Sequence, residues 1–268
     1  MIAVITGASS GIGAAFARKL AARGFGLILV ARREDRLRAI AEEARDLYRV
    51  QAEAMPADLT IEADRNRVAE RIRQEPDLGL LVNNAGFGTL GYFFETDAEG
   101  QEQMHQLHVL ATVSLTHAAM ANLFPRGQAG TGVINVSSVA AFAPSPQNVS
   151  YHATKAWMNA FTEGLATELA GRGSPVTVQA LCPGFTLSEF HDVVGIDRAT
   201  VPASLWMTAD FVVEESLRGF DRRELIVIPG WRYKLLVTVM KAIPGKLIRW
   251  GSIAAVRKYR QKKSQGGG

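Results

Sequence analysis

The sequence predicts an α/β fold: a doubly wound, mainly parallel sheet with helices on both faces. Three observations carry this. Short apolar runs alternate with longer helical patterns. Those runs are rich in Val, Ile and Leu and mostly do not alternate with polar residues, as expected of strands buried on both faces. The first run ends in a glycine-rich turn that opens directly into a helix.

Strands are expected at Ile2–Thr6, Leu27–Ala31, Val50–Met55, Leu78–Asn83, Gly132–Ser137, Val176–Leu181 and Leu225–Ile228. Between them, Gly13–Arg23 sets Phe16 and Leu20 four apart. Glu34–Leu47 sets Leu37, Ile40 and Ala44 on one face, and longer helical stretches run over Ala98–Leu123 and Ser150–Ala170. Such alternation argues for a parallel sheet covered on both sides, and right-handed crossovers favour a doubly wound order. No internal repeat or Pro/Gly/Ser-rich linker divides the chain. We therefore expect one catalytic domain over 1–230, with a substrate lid near 185–210. Residues 231–268 form a basic helical C-terminal extension, with a helix over Trp231–Ile243 broken by Pro244-Gly245.

The bulk properties narrow the function. With 268 residues, 47% of them hydrophobic, the chain can bury a core without staples. A single cysteine, Cys182, excludes an internal disulfide framework and a Cys-rich metal site, so no metal is expected. No signal-peptide pattern and no run of roughly 20 apolar residues is visible, and a cytoplasmic location is expected. The net charge of +4 is unevenly placed. Residues 231–268 hold ten Lys/Arg and no Asp or Glu, so the rest of the chain holds 20 basic and 26 acidic residues, a net of −6.

The first strand ends in Thr6-Gly7-Ala8-Ser9-Ser10-Gly11-Ile12-Gly13. Glycines let a backbone approach a pyrophosphate closely, and a helix N-terminus favours its charge. Gly7, Ser9, Ser10, Gly11, Ile12 and Gly13 are therefore candidate dinucleotide-binding residues. The spacing is Gly-x-x-x-Gly-x-Gly, and by itself it also suits a plain strand–helix turn. The second strand ends in Ala31-Arg32-Arg33, with no carboxylate before Glu34. In such folds an acidic residue there binds the ribose 2′-hydroxyl of NAD, whereas a guanidinium suits a 2′-phosphate. NADP(H) is expected over NAD(H), with Arg32 as the main contact. The competing reading makes both arginines a solvated helix start.

Tyr151 and Lys155, four apart in Tyr151-His152-Ala153-Thr154-Lys155, share one helix face. A nearby ammonium favours a phenolate and lowers a tyrosine pKa from its usual value of about 10. The pair can then pass a proton to a carbonyl or take one from an alcohol. Alone, such a pair is an ordinary exposed face. Ser137-Ser138 closes a strand thirteen residues earlier, where ligands bind in this architecture, and Ser138 can polarise a substrate oxygen.

With these residues in hand, the chain resembles the short-chain dehydrogenase/reductase family, a Rossmann-like fold, over roughly residues 1–230. The resemblance rests on TGASSGIG, Asp58-Leu59, Asn83-Asn84-Ala85-Gly86, Ser138, the Tyr151–Lys155 segment and Pro183-Gly184, in the family's order and spacing. It implies hydride transfer between nicotinamide and a carbonyl or alcohol. It makes Tyr151 the general acid/base and Ser138 the residue that orients substrate. Lys155 binds the nicotinamide ribose and lowers the tyrosine pKa. Asp58 meets the adenine, Asn84, Ala85 and Gly86 flank the adenosine, and Pro183, Gly184 and Thr186 pass the nicotinamide. Homo-oligomers, dimers or tetramers, follow through the helices at 98–123 and 150–170.

One position departs from the family. His108 stands where an asparagine commonly supports a water-mediated proton path behind the lysine. Three readings compete: the histidine is tolerated, it joins the relay with a titration near neutral pH, or the relay is crippled. Phe185, Phe190, Trp206 and Met207 form either an apolar lid, implying an apolar or extended carbonyl compound, or ordinary core. The basic tail suits a neighbouring subunit, peripheral contact with an anionic membrane, an acidic carrier, or plain solvation. A regulatory nucleotide-binding protein without turnover, and a lyase or epimerase on the same fold, stay open as rivals. A nucleic-acid module is not expected. Trp250 and Tyr259 could stack on bases, but the main domain is acidic and no reading motif occurs.

Overall fold

The computed structural model describes residues 1–143, 145–190, 200–247 and 250–253. Part of the lid region (191–199) and of the tail (248–249 and 254–268, with Tyr259) lies outside the described residues. Seven parallel strands form the main sheet: β1 Ile2–Thr6, β2 Gly26–Ala31, β3 Ala52–Pro56, β4 Leu78–Asn83, β5 Gly132–Val136, β6 Thr177–Leu181 and β9 Ile226–Val227. Their order is β3-β2-β1-β4-β5-β6-β9. The chain winds outward from β1 on one side and from β4 on the other. The β1/β4 boundary is thus the topological switch point, where a ligand crevice opens at the strands' carboxyl ends.

Strand composition explains the layering. In β1, Ala3 and Ile5 point into one core with Leu27 and Leu29 of β2, while Val4 points into the other with Ile28 and Val30. Both faces of these strands are buried, which is why the runs read as continuously apolar. The first core is closed by α1 Gly11–Ala22, α2 Glu34–Tyr48 and α7 Ala209–Asp221, through Phe16, Leu20, Leu37 and Leu217. The second is closed by α3 Glu62–Arg73, α5 Thr112–Arg126 and α6 Val149–Gly171, through Val68, Ile72, Leu115 and Leu169. Each fully buried side chain of this size contributes about 1.5–3 kcal/mol.

Three features differ from the sequence expectation. Helices α3 and α7 were not anticipated. Only Val68, Ala69 and Ile72 give α3 its apolar stripe among many charges, whereas α7 does carry a readable one in Val212, Val213, Leu217 and Phe220. The expected helix over Ala98–Leu123 is present and runs on to Arg126, but it carries an unanticipated π-helical turn, Gln106–Ala111, between α4 Ala98–His105 and α5. Taken whole, Ala98–Arg126 is long and apolar enough by composition to cross a membrane, yet Met104, Ala111, Leu115 and Ala118 are buried within the protein. Finally, two short strands, β7 Thr186–Leu187 and β8 Met207–Thr208, pair beside the carboxyl edge of the main sheet. Helix α8, Trp231–Ala242, follows β9.

Candidate active site

The glycine turn is fastened to the end of β4. Thr6 Oγ1 accepts from the backbone N–H groups of Asn84 (2.9 Å) and Ala85 (3.0 Å). The Asn84 amide donates to the carbonyls of Thr6 (2.9 Å) and Gly7 (3.2 Å). This contact leaves no room for side chains. A Cβ on Gly7 would lie 2.7 Å from Asn84 Nδ2, and one on Gly13 would lie 2.2 Å from the Gly7 carbonyl oxygen. Gly7 also has φ +66°, a backbone that favours glycine. Ser10 precedes α1 without a side-chain cap, so the first N–H groups of the helix stay open. An uncapped helix N-terminus behind a loop stripped of Cβ atoms fits a pyrophosphate.

Every predicted site residue lines one cavity of about 940 Å³ except Gly13, which packs behind the turn. At the ribose end both arginines reach it. Arg32 is largely exposed and lies 4.0 Å from Asp58. Arg33, set aside by the sequence reading, is the more firmly held. It donates to Ser9 Oγ (3.0 Å) and Ser10 Oγ (2.9 Å), and pairs with Glu189 of the lid (2.8 Å). The other Glu189 oxygen pairs with Arg36 at 2.5 Å. Hydrogen bonds from Arg36 and then Arg33 hold the Glu189 carboxyl down to about 2, so it stays ionised at any working pH. Glu189 thus competes for the guanidinium that would meet a cofactor phosphate. Glu189→Gln is expected to tighten NADPH binding about two- to fivefold, since exposed ion pairs are weak, and to leave NADH binding unchanged. A fluorescence titration of both nucleotides checks this.

The catalytic candidates gather on the opposite wall. Ser138 sits between β5 and a 3-10 turn (Val139–Phe142), where its Oγ accepts from the Ala140 N–H (3.1 Å). Tyr151 and Lys155 lie one turn apart on α6, with Nζ 5.7 Å from the phenol ring centroid. Lys155 Nζ donates to the Val136 carbonyl at 2.8 Å, and Ser137 Oγ donates to the Lys155 carbonyl at 3.0 Å. These bonds tie α6 to the end of β5. Burial pushes Tyr151 up to about 12, opposed by its hydrogen bond with Ser138. Burial brings Lys155 down to about 8. The expected depression of the tyrosine is therefore outweighed by desolvation in this state, and near neutral pH the pair is a phenol beside an ammonium.

His108 is fully buried on the π-helical turn. Its Nε2 accepts from the Phe87 N–H (3.2 Å), which fixes the proton on Nδ1, and Nδ1 then donates to Thr154 Oγ1 (2.9 Å). Gly86 permits the approach, since a Cβ there would lie 2.8 Å from Nε2. Burial first, then Lys155 and His105, hold its pKa well below the ordinary histidine value. The expectation of a titration near neutral pH does not fit this environment, because a neutral tautomer already satisfies both ring nitrogens. Accordingly, the pH–rate profile between pH 5 and 8 is expected to have the same shape in the native protein and in His108→Asn. A limb lost with the histidine would contradict the assignment.

The lid expectation divides. Phe185 and Phe190 line the cavity, and Phe190 lies 5.8 Å from the Tyr151 ring. Trp206 packs on Phe185 at 5.4 Å, and Met207 belongs to β8; neither lines the cavity. The sequence reading missed Phe87, Leu107, Leu236 and Met240, which complete the apolar wall. It also missed Tyr233. Its hydroxyl accepts from the Phe185 N–H (3.0 Å) and donates to the Leu205 carbonyl (2.8 Å), and its ring fills the space beside Gly184, where a Cβ would lie 2.1 Å away. Helix α8 is thereby riveted to the loop after β6.

A doubly wound sheet with a glycine-rich turn at its switch point and a Ser/Tyr/Lys cluster across the crevice is the architecture of a nicotinamide-type dehydrogenase. The chain belongs to the short chain dehydrogenase family, whose model matches residues 1–198. It is similar to a short-chain dehydrogenase from Sphingobium yanoikuyae solved in complex with NADPH. That match has 37% identity and a TM-score of 0.80, covering 97% of this chain and 95% of the other. It is similar to the bulky-bulky ketone specific alcohol dehydrogenase from Comamonas testosteroni, at 32% identity and a TM-score of 0.77, covering 97% and 93%. Among curated proteins it is 29% identical over 189 residues to the Homo sapiens inactive hydroxysteroid dehydrogenase-like protein 1, covering 70% of this chain and 56% of that protein.

Proposed function

We propose that the protein is an NADP(H)-dependent oxidoreductase interconverting a bulky apolar ketone or aldehyde and its alcohol. The observation that carries this is the meeting of Ser138, Tyr151 and Lys155 on one wall of a cavity whose far end holds the glycine cradle and two arginines. The cradle of Gly7–Gly13 would hold the pyrophosphate and Arg32 and Arg33 the 2′-phosphate. Asp58 and Asn84–Gly86 would flank the adenosine, and Pro183, Gly184 and Thr186 the nicotinamide. The bound cofactor supplies the hydride. In reduction, Ser138 Oγ orients the carbonyl oxygen by a hydrogen bond, and the Tyr151 phenol gives it a proton. The Lys155 ammonium then stabilises the phenolate left behind. Phe87, Leu107, Phe190, Leu236 and Met240 keep water from the reacting carbon. The similarity to a bulky-ketone enzyme supports the substrate class, and the similarity to an NADPH complex supports the cofactor. Apolar residues exposed on the 98–126 helix, Leu110, Val113 and Phe124, suit a homo-oligomer contact.

Reversing both charges, Arg32→Glu with Arg33→Glu, is expected to lower kcat/KM for NADPH by about 10–100-fold. Loss of a single charge-assisted hydrogen bond, roughly 1.5–3 kcal/mol, already produces a change of this size, and NADH should be affected far less. Likeness to a protein named inactive favours a second reading, a nucleotide-binding protein without turnover. Assay of bulky ketones and aldehydes with NADPH and NADH separates the two. Turnover faster with NADPH supports the enzyme, and nucleotide binding without turnover on any compound supports the rival.

A further inference from the structure

Helix α8 is attached to the protein by one narrow face. Of its twelve residues only Tyr233 and Val237 are buried. Its outer face presents Trp231, Leu235 and Val239 at helical spacing, 67%, 56% and 47% exposed. Beyond the helix, Leu247, Trp250 and Ile253 are exposed as well. Exposed apolar side chains repeated along one helix face are the pattern of a surface that meets a partner. The charged side chains on the helix and just beyond it have one sign. Arg232, Lys234, Lys241 and Lys246 are exposed, and among the described residues none of them is in an ion pair. No acidic residue occurs from 231 to 268, while the rest of the chain is net negative. The apolar face thus lies on the part of the sequence that carries basic residues alone.

We propose that the outer face of α8 docks on an anionic lipid surface. Apolar side chains with Trp, flanked by Lys and Arg, match the interface between headgroups and acyl chains. Clustered basic residues are drawn to acidic headgroups. A second copy laid on the same face would bring like charges together. The consequence concerns access. Leu236 and Met240 of the same helix line the cavity, so docking sets the cavity beside the lipid, where a bulky apolar ketone accumulates. Only this last step rests on the proposed reaction. The docking does not.

The test is co-sedimentation of the full-length protein with phosphatidylcholine vesicles, with and without phosphatidylglycerol. Binding is expected only with phosphatidylglycerol, and it should weaken as salt shortens the Debye length. Leu235→Glu with Val239→Glu removes the apolar face without touching the cavity, and should abolish binding. Lys234→Glu with Lys246→Glu keeps the apolar face and should weaken binding about tenfold or more. NADPH titration and thermal denaturation report folding of both variants, and light scattering reports their size. Equal binding by the native protein and both variants overturns the proposal, as does no binding by the native protein. A native dimer that Leu235→Glu with Val239→Glu converts to a monomer, with no vesicle binding, assigns the face to a second copy instead. Because vesicle binding is read without turnover, an inactive protein that still docks would sink the reaction and spare the surface.

Discussion

Replacing Tyr151 with phenylalanine is expected to cut ketone reduction by about 10²–10⁴-fold while NADPH still binds. The substitution removes one oxygen and keeps the ring that packs against His108 and Phe190. Among the described residues the lost oxygen is the only phenol on the cavity wall, and it hydrogen-bonds Ser138. The pH dependence of the native protein follows from the same pair. Tyr151, raised to about 12, stays protonated through neutrality, so the proton needed for reduction is present across the ordinary range. Lys155, lowered to about 8, is charged below that pH and neutral above it. Reduction should therefore be flat below about pH 8 and decline as the ammonium that stabilises the phenolate is lost. Alcohol oxidation needs the phenolate as base and should rise with pH. A Tyr151→Phe protein with native turnover would remove the phenol from the chemistry.

Gly13→Ala is expected to have the second largest effect, on a different observable. Gly13 does not face the cavity, yet its missing side chain is what lets α1 sit against the turn. An added Cβ would meet the Gly7 carbonyl at 2.2 Å and the Asn84 amide at 2.6 Å. The first is backbone and cannot rotate away, and the second is the donor that ties β4 to β1. Overpacking of this kind costs about 1–3 kcal/mol, and the displaced turn carries the cradle with it. Thermal denaturation should show the lost stability, and an NADPH titration should show binding weakened by about fivefold or more, since 1.4 kcal/mol is about tenfold in affinity. The control is Gly164→Ala on α6, where an added Cβ meets nothing within 4 Å. There the helix should gain roughly 0.5–1 kcal/mol. Equal stability and equal binding for Gly13→Ala and the native chain would refute the close-packing argument.

Much of this was legible in the sequence because it is written locally. The central strands are apolar on both faces, so β1, β2 and β4 stood out as short continuous runs. The glycine turn and the Tyr151/Lys155 spacing each sit within eight residues. What escaped is set by distant contacts. Arg33 is bridged to the lid by Glu189, 156 residues away. Tyr233 matters because it fills the space beside Gly184, and its ring would have read as one more apolar position on a helix. The state of His108 is decided by the Phe87 backbone and Thr154, which no spacing rule connects. Helix α3 was hidden for another reason: charged residues dominate it, and its buried stripe is too narrow to stand out.

The central claim is that Tyr151 protonates a carbonyl as hydride arrives from NADPH. The most direct measurement supplies NADPH with deuterium at both C4 positions and a bulky ketone, and follows the alcohol by mass spectrometry. The expected result is one deuterium on the carbinol carbon with the native protein and almost none with Tyr151→Phe, although both bind the nucleotide. Nucleotide binding with no labelled alcohol from any ketone, or equal labelling by both proteins, would contradict it.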